Sequence, residues 1–118
     1  MKEKIADYIL SYKKISPQEA KERMSQTKEI RILDVRTKEE FDAGHIKGAI
    51  CIPNETIGED EIAELPDKNQ QILVYCRSGI RSRQAALKLV RKGYTDIKDL
   101  GGILDWNYEI EKAVSCEK

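Results

Sequence analysis

A chain of 118 residues fits one domain that can bury a core without disulfide or metal staples. Apolar residues make up 40% of it and charged residues 36%, a balance typical of a globular domain with a highly charged surface. Basic and acidic residues number 21 each, so the chain lacks the basic excess of nucleic-acid binders, and no apolar run is long enough to cross a membrane.

The beginning of the chain predicts two helices. Apolar residues recur there at helical spacing, so we expect residues 1–14 to form an accessory amphipathic helix. Ser16 can cap the second helix, with Pro17 in its first position and Glu19 completing a capping box. We expect this second helix to end near Gln26.

The middle of the chain predicts short strands and one short helix. Branched residues mark a strand over residues 30–35, and a shorter strand follows at 49–52. Between them, Thr37 caps a helix that ends at Gly44. Residues 71–75 are apolar on both faces, which is typical of a strand at the centre of a parallel sheet.

The last third begins with a loop and a helix that starts near Arg81 or Ser82. Its buried stripe is predicted to comprise Ala85, Ala86, Leu89 and Val90, and Gly93 suits its C-terminal cap. A strand over residues 96–100 then leads into a final helix. That helix is expected to carry Ile103, Trp106 and Ile110, and residues 113–118 to form a flexible tail. Strands alternating with helices predict an α/β fold with a mainly parallel sheet.

The cysteine content and the N-terminus favour a reducing compartment. The three cysteines, Cys51, Cys76 and Cys116, are an odd number at wide spacing, which indicates free thiols. The N-terminus lacks the apolar stretch of a signal peptide, so we expect a cytoplasmic protein. With one histidine and no paired cysteines, we expect neither a metal site nor a cofactor.

The loop from Cys76 to Ser82 carries the chemistry of the sequence. It joins the carboxyl end of the central strand to the start of a helix, the edge at which open parallel sheets bind ligands. Backbone N–H groups of such a loop can cradle an anion, and the helix N-terminus adds positive potential. Arg77 and Arg81 add two charges, and Gly79 permits positive φ. We expect this arrangement to stabilise a thiolate, and later a persulfide, on Cys76.

A buried core cysteine is the competing interpretation of Cys76, because free cysteine is often buried. Two arginines, a glycine and a helix start at the right offsets favour the nucleophile instead, since a core cysteine gains nothing from two flanking cations.

Three segments of the sequence resemble the rhodanese family. The loop Cys76-Arg77-Ser78-Gly79-Ile80-Arg81-Ser82 is similar to the family's active-site loop. The family's first signature is similar to three short stretches here: Leu33-Asp34-Val35-Arg36, Glu40-Phe41 and Gly44-His45-Ile46-Lys47-Gly48-Ala49. Its closing signature is similar to Leu100-Gly101-Gly102-Ile103 with Trp106. Three segments in the family's order are far more specific than one.

This resemblance implies a rhodanese domain over residues 15–112, with five mainly parallel strands and helices on both faces. It implies a thiosulfate sulfurtransferase in which Cys76 is catalytic. The substrate-binding residues would be Arg77, Ser78, Gly79, Ile80, Arg81 and Ser82. The implied sulfur donor is thiosulfate or a persulfide, the acceptor is cyanide or a thiol, and a protein thiol is a further candidate partner. No nucleic acid or membrane is implied.

Other residues have competing interpretations. Asp34 and Arg36 form either the rim of the site or an ion pair that braces the loop, with Glu40 in the same network. For His45 we favour a structural hydrogen-bonding role. Cys51 is expected to be buried and inert, and Cys116 to have no specific role. Trp106 is expected to fill the core or support the loop. Lys88 is one of the cations expected to stabilise the C-terminal end of a helix dipole.

Two alternatives remain open. Phosphatases and arsenate reductases of this fold space the cysteine and arginine by five residues, whereas Arg77 to Ile80 are four, so the loop should be too tight for phosphate. The other alternative is a module that docks a partner or relays sulfur without general turnover. Retention of Cys76 and both arginines counts against an inactive module.

Overall fold

The structure is a computed structural model that describes residues 12–112. Its strands are β1 (Tyr12–Lys14), β2 (Arg31–Asp34), β3 (His45–Ile46), β4 (Ile50–Cys51), β5 (Gln71–Cys76), β6 (Asp96–Gly102) and β7 (Ile110–Glu111). Its α-helices are α1 (Pro17–Gln26), α2 (Lys38–Ala43) and α3 (Ile80–Arg91), with 3₁₀ turns at Asn54–Thr56 and Ile103–Asp105. None of the helices within this range is long and apolar enough to cross a membrane.

The main sheet has five strands in the order β1-β6-β5-β2-β4, and every pairing is parallel. Strand β5 is therefore central, as its apolar sequence predicted. The register places Tyr75 beside Asp34 of β2, and Cys76 beside Gly102 of β6. The carboxyl ends of the three middle strands thus meet at one edge of the sheet.

Alternate residues of β5 enter two separate cores. Ile72, Val74 and Cys76 pack on the side of α3, whose buried stripe is the predicted Ala85, Ala86, Leu89 and Val90. Leu73 and Tyr75 point to the opposite side, where they pack with residues that include Ala20 of α1, Trp106 and partly buried Phe41 of α2. The predicted parallel sheet with helices on both faces is therefore confirmed.

Local capping explains where the helices begin. The Ser16 hydroxyl accepts from the Glu19 N–H at 3.0 Å, but the Glu19 side chain pairs with Arg23 at 2.9 Å. The full capping box predicted at α1 is instead found at α2, between Thr37 and Glu40. Helix α3 begins at Ile80, slightly earlier than predicted, because Gly79 caps it in the left-handed region at φ 112°.

At each end of the domain the described residues differ from a predicted helix. Tyr12–Lys14 are not helical but form edge strand β1, because their backbone pairs with β6; residues 1–11 of the expected accessory helix lie outside the described residues. The final helix is replaced by a 3₁₀ turn and β7, which pairs antiparallel with β3. The spacing of Ile103, Trp106 and Ile110 is compatible with a helix, but the pairing of β7 with β3 determines the conformation of this segment. The predicted tail, residues 113–118, also lies outside the described part.

Candidate functional site

Cys76 lies at the carboxyl end of β5, where the chain turns into α3. Only 1% of the residue is exposed. Its Sγ accepts a hydrogen bond from the Gly79 N–H at 2.9 Å. This bond requires the loop to fold back on the sulfur, and the positive φ of Gly79 allows that turn without the strain of a Cβ.

The start of α3 adds positive potential at the same place. The first N–H groups of an α-helix have no acceptor within it, and the dipole of the helix makes this end positive. In α3 these groups belong to Ile80, Arg81 and Ser82, which follow the loop directly. The Gly79 N–H and the start of α3 therefore direct positive potential at the Cys76 sulfur.

Asp99 of β6 holds the loop in place through hydrogen bonds, a role that the sequence did not predict. The Ser82 hydroxyl lies 2.8 Å from Asp99 Oδ1 and 3.1 Å from the Gly79 carbonyl oxygen. The same Asp99 oxygen accepts from the Gly101 N–H at 2.9 Å. Asp99 is 1% exposed, so this network is shielded from water. Ser82 is thus placed for loop support, with its side chain turned away from solvent.

Gly102 packs directly under the loop. A Cβ added there would overlap the carbonyl oxygen of Arg77 and lie 2.7 Å from the Ser78 Cα. Next along the chain, the Leu104 N–H donates to the Arg77 carbonyl at 3.3 Å. Gly102, the second glycine of the pair Gly101-Gly102, therefore has a physical explanation. Only a residue without a side chain lets β6 lie this close to the loop.

Arg81 is held by Glu40 of α2 and does not stand free beside the sulfur. Its two terminal nitrogens donate to the two Glu40 oxygens at 2.9 Å and 3.1 Å. The hydrogen bond from Arg81, together with those from Thr37, lowers the pKa of Glu40 to about 2. Arg81 therefore brings a positive charge to the start of α3, and a carboxylate 41 positions away balances that charge. Glu40 braces the loop through Arg81.

Arg77 differs from Arg81, since it is exposed and has no acidic side chain within ion-pair distance among residues 12–112. It lines a cavity of about 370 Å³ beside the loop. The remaining wall of this cavity is Arg36, Glu40, Ala43, Gly44, Ile103, Leu104 and Ile110. Of the two arginines that line this cavity, Arg36 is paired with Asp34, whereas Arg77 has no acidic partner within the part of the chain that the structure describes.

Asp34 and Arg36 form the buried bracing pair that the sequence left open. The guanidinium donates to Asp34 Oδ2 at 2.7 Å and to the Gly44 carbonyl at 2.7 Å. Although burial opposes the charge, the hydrogen bonds to Asp34 and its carboxylate raise the pKa of Arg36. Tyr75 donates to Asp34 at 2.7 Å and accepts from the Ile46 N–H at 3.0 Å. Arg36 also faces the cavity, so it is both a brace and part of the wall.

The remaining single residues have structural places. His45 lies in β3, with Nδ1 2.8 Å from the Phe41 carbonyl and its ring stacked on Phe41. Cys51 is partly buried, and burial raises the pKa of its thiol, which suits an inert cysteine. Trp106 is buried and donates to the Glu109 carbonyl at 3.2 Å. Lys88 reaches the Asn54 carbonyl at 2.8 Å, and Cys116 lies outside the described residues.

A parallel sheet with this cysteine loop at its carboxyl edge is shared with a known class of domains. The model of the rhodanese-like domain matches residues 16–109. The chain belongs to the rhodanese-like domain family.

Several relatives of this chain are sulfurtransferases. It is 40% identical over 73 residues to the thiosulfate sulfurtransferase PspE of Escherichia coli, covering 62% of this chain and 70% of PspE. It is 34% identical over 93 residues to a sulfurtransferase of Allochromatium vinosum, covering 78% and 85% of the two chains. Other relatives are longer proteins, of which the chain spans 25% to 36%.

Solved structures agree with the fold. A rhodanese-like domain protein from Staphylococcus aureus superposes with a TM-score of 0.73 at 32% identity, covering 85% of this chain and 97% of that one. Family and relatives together support sulfur transfer as the general activity.

Proposed function

We propose that the protein is a thiosulfate sulfurtransferase that carries sulfur as a persulfide on Cys76. The observation that supports this most directly is the position of the Cys76 Sγ. It sits at the edge of the central strand, accepts the Gly79 N–H at 2.9 Å, and faces the N-terminus of α3. Hydrogen bonds and a helix dipole directed at a sulfur stabilise both a thiolate and the persulfide anion that replaces it.

In the first step the Cys76 thiolate attacks the outer sulfur of thiosulfate. A new bond forms between Sγ and that sulfur, while the bond between the two thiosulfate sulfurs breaks and its electron pair leaves with sulfite. Charge is conserved, since thiolate and dianion become persulfide anion and sulfite dianion. No proton has to move, so no general base is required near Cys76. Arg77, at the cavity mouth, is placed to stabilise the departing sulfite.

In the second step cyanide or a thiolate attacks the outer sulfur of the persulfide. The bond to Sγ breaks, its electron pair returns to Cys76, and the product is thiocyanate or a new persulfide. The loop, fixed by Asp99 through Ser82 and Gly101, does not have to rearrange between the two steps. A fixed cradle costs no reorganisation during the reaction.

The size of the loop favours sulfur over phosphorus. The Gly79 N–H already lies at hydrogen-bond distance from Sγ, and the loop has four residues between Cys76 and Arg81 where a phosphatase loop has five. A phosphate or arsenate ester would have to place a whole tetrahedral group inside this shorter loop. We therefore expect negligible hydrolysis of aryl phosphates.

Replacing each cysteine tests the proposal. Cys76→Ser should abolish transfer from thiosulfate to cyanide, because a serine hydroxyl does not ionise near neutral pH and is a poor acceptor of sulfane sulfur. Cys51→Ser is the matched control and should keep most activity, since burial raises the pKa of that thiol; Cys116→Ser should behave likewise. An active Cys76→Ser variant, or rapid aryl phosphate turnover by the parent, would contradict the proposal.

A further inference from the structure

The cavity beside the loop carries two of the four large apolar side chains that are exposed within residues 12–112. Within residues 12–112 the large hydrophobic residues that remain exposed are Ile80 at 70%, Leu104 at 64%, Ile110 at 48% and Tyr108 at 36%. Leu104 and Ile110 line the cavity with Arg77, and Ile80 follows the loop at the start of α3. Single exposed apolar residues are ordinary, but apolar residues grouped around one opening indicate a surface that another molecule covers.

The charges around this opening are unequally matched. Arg36 is paired with Asp34, and Arg81 with Glu40. Arg77 has no such partner among residues 12–112, so it places one uncompensated positive charge beside two exposed aliphatic side chains. We call the surface of Arg77, Leu104 and Ile110 the acceptor rim. A molecule that complements it needs apolar groups and one negative charge.

The burial of Cys76 adds a geometric requirement. With 1% of the residue exposed, an acceptor sulfur must enter the opening while the rest of its molecule remains outside on the rim. Cyanide and thiosulfate carry no apolar group that could cover Leu104 or Ile110, so neither explains why those side chains are exposed.

We propose that the acceptor is a cysteine of another protein, presented on a segment with an aliphatic residue and an acidic residue beside it. This inference rests on the proposed function, since it names the acceptor of the same Cys76 persulfide. The aliphatic residue packs on Leu104 and Ile110, and the carboxylate pairs with Arg77. The acceptor thiolate then attacks the outer sulfur, the bond to Sγ breaks with its electron pair returning to Cys76, and the acceptor leaves as a persulfide.

The test starts from protein already loaded with sulfur from thiosulfate. Two short synthetic peptides of equal length serve as acceptors, one with Leu and Glu beside its single cysteine and the other with Ser and Lys. Single-turnover transfer, followed by mass spectrometry, should be about tenfold or more faster to the first peptide, the factor expected from covering one aliphatic side chain. Free cysteine should be as slow as the second peptide.

Variants of the loaded protein locate the preference. Leu104→Ser and Ile110→Ser should each reduce the ratio of the two peptide rates, and Arg77→Ala should remove the part due to Glu. Tyr108→Ser is the matched control, because Tyr108 is exposed but packs against Trp106 and Lys21 away from the rim; it should leave the ratio unchanged. Because Leu104 and Ile110 lie on separate segments, the same effect in both variants would not come from a folding defect in one segment.

Three results would overturn the inference while leaving the proposed function intact. They are equal rates for both peptides, a free-cysteine rate as high as that of the first peptide, or a dimer of this chain in sedimentation that Leu104→Ser dissociates. Failure to load sulfur onto Cys76 at all would instead contradict the proposed function.

Discussion

Two regions meet at the opening of the site, and they use charge in opposite ways. In the segment from Asp34 to Gly44 the buried or partly buried charges are paired: Arg36 with Asp34, and Glu40 with Arg81 across the opening. In the loop from Cys76 to Gly79 the single cation, Arg77, has no acidic partner among the described residues, and the sulfur is contacted by a backbone N–H.

This difference separates charges that hold the site in place from a charge that can bind a substrate. A paired charge is already satisfied, so it fixes the position of a segment but attracts no ligand. An unpaired charge at an opening leaves its interaction available to an anion. Arg77 of the loop and Arg81 of α3 therefore have different roles. Substitutions of the paired charges should lower stability, whereas substitution of Arg77 should lower activity.

The largest effect on stability is expected from Asp34→Asn. It removes the carboxylate that compensates Arg36, whose side chain is only 7% exposed. Breaking a buried pair in this way costs on the order of 3–5 kcal/mol, because a buried charge is left without its counter-ion.

Urea unfolding measures that loss, and Asp42→Asn is the matched control. Asp42 pairs with Lys38 at the surface, so its loss should cost no more than about 0.5 kcal/mol. Similar losses for both variants would show that the Asp34 pair does not hold the frame of the site.

Arg77→Ala should separate binding from folding. Losing one charge-assisted hydrogen bond to an anion costs on the order of 1.5–3 kcal/mol, so kcat/KM for thiosulfate should fall about tenfold or more. The urea midpoint should stay near that of the parent, since Arg77 is exposed and unpaired among residues 12–112. Arg77→Lys should restore only part of the activity, because lysine lacks the planar fork. Full activity of Arg77→Ala would mean that the backbone alone holds the donor.

Gly102→Ala tests whether β6 shapes the loop. The added Cβ meets the backbone of Arg77 and Ser78, which cannot move aside like a flexible side chain. We expect a loss of about 1–3 kcal/mol of stability together with reduced sulfur transfer. Gly58→Ala is the control, because a Cβ there meets nothing within 4 Å, and both measurements should match the parent. Normal activity of Gly102→Ala would show that the close approach is not needed.

The smallest effect concerns the Glu40–Arg81 pair and its pH dependence. The folded-state pKa of Glu40 is about 2, well below the ordinary value near 4.3. The pair therefore stabilises the fold fully above about pH 4.5 and ceases to do so as the pH falls through the folded pKa. Since both side chains are partly exposed, the contribution is at most about 1 kcal/mol.

Comparing Glu40→Gln with the parent in urea at several pH values measures this contribution. The difference in unfolding free energy should be present at pH 7 and shrink below about pH 4.5. Glu39→Gln, on the exposed side of α2, should show no such trend. A difference that grows as the pH falls would contradict the assigned direction of the pKa shift.

Much of this arrangement could be predicted from the sequence because its signals are local. Ser16 and Pro17 mark the start of α1, the apolar run before Cys76 marks the central strand, and Gly79 marks the turn in front of α3. The position of Cys76 at the sheet edge follows from those signals together.

The errors and omissions share a physical cause, which is contact between residues distant in sequence. The pairing of β7 with β3 turned an expected helix into a strand, and the pairing of β1 with β6 did the same for Tyr12–Lys14. The carboxylates of Glu40 and Asp99 meet Arg81 and Ser82 only after the sheet has formed. No spacing within one segment carries that information.

The most direct test of the central claim is the intact mass of the protein after incubation with thiosulfate. The protein should become heavier by one sulfur atom, the added sulfur should map to Cys76 after proteolysis, and cyanide should remove it. Cys76→Ser should gain no mass. An unchanged mass in the parent, or a sulfur that maps to Cys51, would contradict the assignment of Cys76 as the sulfur carrier.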